Sequence, residues 1–296
     1  MILIQRFDVY RPINLNDALE VLSREGSGIR PIAGGTDVLV LMRDGKLGKV
    51  SKLLDLWPIR KELSYIKIED SYVRVGALTT IDELCSSDLV SDRRYAGIMD
   101  ACSGFGAPFL KNVATVGGNI GTSHPLSDFT VAFLTLDAEV KLVSGSGVRY
   151  VPLKNFFTGF RTNVRRPDEL IAEVRFREAP ENSSTAFMKF DRRWAHAMGY
   201  ILCGGFMEFE GSLIRDVRVA FDSVSNPYPE RAFKTEEFLK GKEFSEELIR
   251  EAYSRVLPTE MRRISDYRAS AEYRLDLSKI LMKRVFLKIR ERVGGE

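Results

Sequence analysis

Two short segments carry residue types suited to holding a phosphorylated ligand. The first is Pro31-Ile32-Ala33-Gly34-Gly35-Thr36-Asp37, an apolar run that enters a Gly-Gly turn and then a helical pattern. Paired glycines let a backbone approach a ligand closely and adopt positive φ. A turn that opens a helix aims several N–H groups at one point, which suits a phosphate or pyrophosphate. The plain alternative is a structural turn with Thr36 or Asp37 as helix N-cap. The second segment is Ala114-Thr115-Val116-Gly117-Gly118-Asn119-Ile120-Gly121-Thr122-Ser123-His124-Pro125-Leu126-Ser127-Asp128. Its polar groups must be satisfied by the chain itself, by water or by a ligand. It has neither G-x-G-x-x-G order nor the lysine of a P-loop, so both standard nucleotide fingerprints are missing. Two Gly-Gly loops, each after an apolar run, point to a ligand with phosphates between polar rings.

Other chemistry finds little support. His124 and His196 are the only histidines, and they lack the spacing of a metal site. There is no G-x-S-x-G elbow and no H-E-x-x-H segment, which argues against hydrolase chemistry. Cys85, Cys102 and Cys203 form no C-x-x-C pair, so unpaired, buried thiols in a reducing compartment are expected. Three cysteines also fall short of the four that an iron–sulfur cluster normally takes. Trp194 is a candidate for stacking on an aromatic cofactor or for the core. Arg262, Arg263, Arg268 and Arg274 read as a solvated or partner-facing surface.

The elements that would position these loops follow from periodicity and caps. A strand over Phe7–Tyr10 leads to a helix capped by Asn14 or Asn16 and ended at Gly26-Ser27-Gly28. Arg30–Ala33 reads as a strand, Val38–Met42 as a short helix and Val50–Leu56 as a strand. Tyr65–Ile68 and Tyr72–Val75 form a hairpin, and Thr80 caps a helix over Ile81–Leu84. A further helix covers Tyr95–Ser103, while Ala107–Pro125 carries little helical pattern. Asp128–Leu136 is helical, and Glu139–Val143 pairs with Val148–Val151. Polar Pro180–Ser184 marks a boundary. Beyond it come strands at Ala186–Phe190, Ile201–Phe209 and Ile214–Ser223, then helices at Glu246–Val256 and Leu277–Val293. The chain has 296 residues, 44% hydrophobic and 29% charged, enough for two domains with full cores and not for a disordered chain. Mixed strands and helices without strict alternation make the class α+β. A net charge of +3 gives no general field for nucleic acid. The apolar start Met1–Ile4 is cut short by Arg6 and Asp8, unlike a signal peptide. No stretch is apolar enough to span a membrane, so a soluble, cytoplasmic protein is expected.

Taken together, the two glycine loops and their surroundings resemble the FAD-binding (medium) subunit of the molybdenum hydroxylases, the family of xanthine dehydrogenase and aerobic carbon monoxide dehydrogenase. The carrying segments are IAGGTDVLVLM, VRVGALTTIDEL, FLKNVATVGGNI, HPLSD, LDAEVKL, RRPDELIAEV, AFMKFDRR and DYRASAEYRLDL, in family order over nearly the whole chain. The resemblance implies a vanillyl-alcohol-oxidase-type FAD-binding domain over residues 1–178, with α+β subdomains of about 1–57 and 58–178. A smaller C-terminal domain of antiparallel sheet and helices would follow over 184–296. It implies that Ile32, Ala33, Gly34, Gly35, Thr36 and Asp37 wrap the FAD pyrophosphate, with Val38 starting the helix behind it. Thr115, Gly117, Gly118 and Asn119 would form the second phosphate-side loop. Asp128 matches the position that binds the adenosine part, with Ser123 nearby. Phe105 matches an aromatic position flanking the cofactor, and Ile171 and Lys189 match positions near the flavin. His124 stands where the family usually has a small residue and is assigned no part. Trp194 and Tyr200 are candidates for the aromatic over the isoalloxazine.

The resemblance implies an electron-transfer role in which FAD does the redox chemistry. Electrons would arrive from an iron–sulfur small subunit served by a molybdopterin large subunit, and leave to NAD or another acceptor. The competing reading is a stand-alone FAD-dependent oxidoreductase acting directly on a small substrate. A third is a scaffold that keeps the fold without the cofactor, in which substituting Gly34 or Gly118 would change nothing.

Overall fold

A computed structural model describes residues 6–48, 50–191, 193, 199–222, 227–261 and 264–294. Three strands, β1 (Asp8–Tyr10), β2 (Ile29–Ile32) and β3 (Lys52–Asp55), form a parallel sheet with β3 in the centre. Helix α1 (Leu15–Glu25) is capped by Asn14, whose side chain accepts the Asp17 N–H. Its buried Ala18, Leu19, Val21 and Leu22 pack on Leu54, Leu56 and Ile59. Helix α2 (Val38–Arg43) leaves the Gly34-Gly35 turn, and α3 (Arg60–Leu63) leads out of this layer.

The central layer is a five-stranded antiparallel sheet. It contains β4 (Ile66–Glu69), β5 (Tyr72–Gly76), β6 (Glu139–Ser144) and β7 (Gly147–Pro152). A small hairpin of β8 (Phe157–Gly159) and β9 (Thr162–Asn163) leads from β7 to β10 (Leu170–Arg177). The order is β4-β5-β10-β6-β7, so the last strand in sequence occupies the middle. Helices α4 (Ile81–Cys85), α5 (Ala96–Gly104), α6 (Pro108–Lys111), α7 (Val116–Gly121) and α8 (Asp128–Thr135) lie between β5 and β6 in the chain. Val73, Val75, Val140, Val174 and Phe176 of the sheet share one core with Ile81, Ile98, Ile120, Phe129 and Phe133 of the helices.

A second antiparallel sheet contains β11 (Ser183–Phe190), β12 (Ile201–Glu210), β13 (Leu213–Asp222) and β14 (Glu230–Arg231) in that order. Helices α9 (Phe233–Leu239), α10 (Glu246–Glu251), α11 (Leu257–Glu260) and α12 (Ala271–Val293) complete this half. Both faces of the sheet are covered, as adjacent glycines on β12 make plain. A Cβ on Gly204 would meet Val131 and Thr135 of α8, and one on Gly205 would meet Val285, Phe286 and Ile289 of α12. Successive strand residues point to opposite faces, so the two glycines seat one helix on each side.

The halves are also joined by charge. The Asp100 carboxylate on α5 accepts from the Phe187 N–H, from Lys288 Nζ at 2.8 Å and from both Arg292 Nη atoms at 2.7 and 2.9 Å. Those cations, with the Phe187 N–H, hold the carboxyl below its usual range against the desolvation that would raise it.

Several sequence expectations are corrected. The stretch Ala107–Pro125 contains α6 and α7. Helix α7 forms despite three glycines because Thr115 Oγ1 caps it, accepting the Gly118 N–H at 3.1 Å. Cys85 and Cys102 are joined in a disulfide rather than free, because α4 and α5 pack with those Cα atoms 5.7 Å apart; Cys203 alone remains a buried thiol. The polar boundary Pro180–Ser184 runs into β11, where Ser183 and Ser184 are buried and donate to the carbonyls of Pro180 and Arg93. Trp194, His196, Arg262 and Arg263 lie outside the described residues. No helix among the described residues is long and apolar enough to cross a membrane.

Candidate FAD cleft

The two glycine loops meet at one point. A Cβ on Gly34 would stand 1.7 Å from the carbonyl oxygen of Val113, so the first loop is pressed against the strap that leads into α7. Gly35 has φ +71°, a conformation that L side chains rarely adopt. Gly117 is seated on Ala77, and its N–H donates to the Ala77 carbonyl at 2.8 Å. Between these loops and the start of the central strand β10 lies a cleft of about 490 Å³, a size in the usual range of roughly 300–1,000 Å³ for small-molecule sites.

The loops differ in what their backbones offer. In the second, the N–H groups of Val116, Gly117, Gly118 and Asn119 are satisfied by Thr79 O, Ala77 O, Thr115 Oγ1 and Thr115 O. In the first, the N–H groups of Gly34, Gly35, Thr36 and Asp37 find no acceptor among the described residues. The donors available to an anion therefore belong to the first loop, and the second serves as wall. Asp37 holds the N-cap position of α2 without capping it. Its carboxylate instead accepts two hydrogen bonds from Arg161, at 2.7 and 3.0 Å.

Twelve of the expected site residues line the cleft: Ala33, Gly34, Gly35, Thr36, Asp37, Val38, Phe105, Thr115, Gly117, Gly118, Asn119 and Ile171. Phe105 is held edge-to-face on Phe129 at 5.2 Å. Ile171 sits where the β10–β6 ladder slips, between Ile171 and Glu173. The Asn119 side chain accepts from Ser127 Oγ at 2.7 Å.

Five expected residues do not line it, counting the aromatic candidate Tyr200. Ile32 packs toward Leu41 and Leu53. Ser123 is buried and ties down the β8–β9 hairpin: its Oγ accepts from Asn163 Nδ2 at 2.7 Å and its carbonyl from the Arg161 N–H. Asp128 and Lys189 form a buried ion pair at 3.2 Å, with Asp191 3.5 Å from the same ammonium. Desolvation pushes the Asp128 carboxyl up to about 7, against the pull of Lys189. Tyr200 packs on Phe190 away from the cleft wall.

The structure adds wall residues that sequence reasoning missed. Arg30 on β2, Arg161 at the hairpin tip and Arg165 beyond β9 all face the cleft, as does His124. Burial lowers the pKa of Arg30, opposed by Asp37 and reinforced by Arg161, and that of Arg165, reinforced by Arg30 and opposed by Glu169 and Asp168. His124 is held below its ordinary value by burial and then by Arg161. Arg165 Nη1 is satisfied by the carbonyls of Arg166 and Glu169. The residues present fit FAD: cations and free N–H groups for a diphosphate carrying two negative charges, and apolar Phe105, Leu170 and Ile171 for a ring.

Comparison with known sequences agrees. The profile described as "FAD binding domain in molybdopterin dehydrogenase" matches residues 5–177, and "CO dehydrogenase flavoprotein C-terminal domain" matches residues 185–289. The fold and the cleft define a flavoprotein subunit of an oxidoreductase. The chain belongs to the FAD-binding medium subunits of the molybdenum hydroxylases, the xanthine and carbon monoxide dehydrogenase family.

It is 28% identical over 288 residues to the xanthine dehydrogenase FAD-binding subunit of Escherichia coli O157:H7, covering 97% of each chain. It is 30% identical over 288 residues to the glyceraldehyde dehydrogenase medium chain of Sulfolobus acidocaldarius, covering 96% of this chain and 98% of the other. Among solved structures, a carbon monoxide dehydrogenase from Hydrogenophaga pseudoflava that lacks the Mo-pyranopterin moiety of its cofactor superposes with a TM-score of 0.90 at 26% identity, over 97% and 98% of the two chains.

Proposed function

We propose that this chain passes electrons through FAD, from the iron–sulfur small subunit of a complex whose large subunit holds molybdopterin, to NAD or another acceptor. One observation supports the placement of the cofactor: among the described residues, the cleft is lined by four residues whose backbone N–H groups find no acceptor, together with three arginines and a single carboxylate. Bound FAD would supply the redox chemistry, accepting electrons and releasing them. The chain's own part is binding and orientation. Gly34, Gly35, Thr36 and Asp37 would donate N–H groups to the diphosphate. Thr115, Gly117, Gly118 and Asn119 would form the opposite wall, and Phe105 and Ile171 would flank the ring system. Asp128, Lys189 and Ser123 would act from behind the wall, holding its shape and charge.

The test is coexpression with the chain's native neighbours, followed by absorbance, iron and molybdenum assays and subunit analysis on one sample. A stable complex of three chain types with flavin and both metals is the expected outcome. A yellow, metal-free single chain that turns over a small substrate alone would overturn it in favour of a stand-alone oxidoreductase.

A further inference from the structure

The charges around the cleft do not cancel. Arg161 is neutralised by its two hydrogen bonds to Asp37. Arg165 is anchored on two carbonyls with Asp168 and Glu169 nearby. Arg30 has no hydrogen bond and no ion pair among the described residues, although it is half-buried in the cleft wall. The Asp37 carboxylate attracts it without a hydrogen bond, and the guanidiniums of Arg161 and Arg165 repel it. Three guanidiniums sharing the cleft with one carboxylate, itself held by Arg161, leave a surplus of positive charge that a bound anion would balance. The unsatisfied N–H groups of Gly34–Asp37 begin just beyond the end of β2, the strand that carries Arg30.

We propose that Arg30 is the residue that recognises the second phosphate of the cofactor's diphosphate, and that the Asp37 side chain acts as a positioning group holding Arg161 across the cleft rather than as a ligand. An unpaired carboxylate at position 37 would repel a diphosphate. Paired bidentately, it fixes a guanidinium whose main chain is already pinned at φ +56° by the Arg161 N–H bond to Ser123 O. The inference rests on the cleft being the FAD site. Its consequence is selectivity for the diphosphate, so that FAD and ADP bind through Arg30 while FMN and riboflavin gain little from it.

The experiment titrates the apo chain with FAD, ADP, FMN and riboflavin, by flavin fluorescence or calorimetry. Removing one charge-assisted contact weakens binding by about tenfold or more. Arg30→Met and Arg30→Gln should each lose that much for FAD and ADP, with FMN and riboflavin nearly unchanged. Arg30→Lys should recover part of the loss, and the Gln variant serves if the Met variant fails to fold. For Asp37 the readout is a double-mutant cycle: Asp37→Asn should weaken FAD binding alone and add nothing on top of Arg161→Met. Wild-type protein that binds none of the four ligands would overturn the cleft assignment and this inference together. Wild type that binds FAD, with Arg30→Met and Arg30→Gln binding it as tightly, would overturn the inference alone. Additive effects at 37 and 161 would overturn the positioning role.

Discussion

Replacing Gly34 with alanine should damage the fold far more than the same change at Gly118, although both are glycines of the two loops. At Gly34 the new Cβ would lie 1.7 Å from Val113 O and 2.4 Å from Val113 C, both backbone atoms. Relief requires one segment to move by more than about 1 Å, and overpacking of this kind costs roughly 1–3 kcal/mol. The Val113–Ala114 strap is not free to move. Ala114 N–H donates to Leu110 O at 2.8 Å and Ala114 O accepts the Ile81 N–H at 2.8 Å, so a hydrogen bond worth about 1 kcal/mol is lost as well.

At Gly118 the one clash among the described residues is with Thr115 Oγ1 at 2.9 Å, and a hydroxyl can rotate away. The lost cap costs about 1 kcal/mol, which the better helix propensity of alanine offsets by a similar amount. With roughly 2 °C of Tm per kcal/mol in a chain of this size, Gly34→Ala should fall by about 4–8 °C and Gly118→Ala should stay within about 2 °C. Thermal unfolding of the apo chain followed by far-UV circular dichroism measures both. A Gly34→Ala protein melting within about 2 °C of wild type would refute the packing argument. Gly118, not Gly34, is therefore the position at which a lost cofactor can be read as lost binding.

Asp128 offers a pH signature. Its folded pKa of about 7 lies above the unfolded value, so its contribution is fully present below about pH 4 and is lost as pH rises through about 7. At about 1.4 kcal/mol per unit the effect reaches at most about 4 kcal/mol, and Asp128→Asn should flatten the fall in apo-protein stability over that window in urea titrations at fixed pH. The disulfide predicts a thiol count: denatured, unreduced protein should show one reactive thiol and reduced protein three. Cys85→Ser should cost about 3 kcal/mol in denaturant unfolding, from a crosslink spanning 17 residues. Asp100→Ala strips the shared carboxylate from Lys288 and Arg292 and should destabilise by about 3 kcal/mol, with no loss in a variant at exposed Arg43 as the control.

Local signals were readable wherever a residue acts on its immediate neighbours. Asn14 caps α1, and Thr80 with Glu83 forms a capping box on α4, which are sequence-level signatures. The hairpins at Asp70-Ser71 and Ser144–Gly147 were equally plain. Features that depend on distant packing were not. Helix α7 needs Ala77 under Gly117, and the Cys85–Cys102 bond needs α4 and α5 side by side. Strand β10 runs through the centre of its sheet with Arg and Glu among its apolar residues, which hides it from period-two reading. The glycine loops were legible as candidate phosphate sites, but not which loop keeps its N–H groups free. Arg30 and Arg161 carried no signal, because the cleft is assembled from β2 and a hairpin far along the chain.

The sheet of β11–β14 has two owners. One face is filled by α8 against Gly204, and the other by α12 against Gly205. Phe187, Leu202, Phe206 and Ala220 belong to the same apolar cluster as Phe129 and Val174, not to that of Phe221 and Met282. The two family profiles divide the chain near residue 180, yet the physical seam runs through the middle of a sheet. A cut there would not release two modules. It would leave α8 without a floor and the sheet without a roof, each half baring the apolar surface it now buries against the other. Cooperative loss of the whole chain, flavin included, is the form in which damage anywhere along that seam would reach the cell.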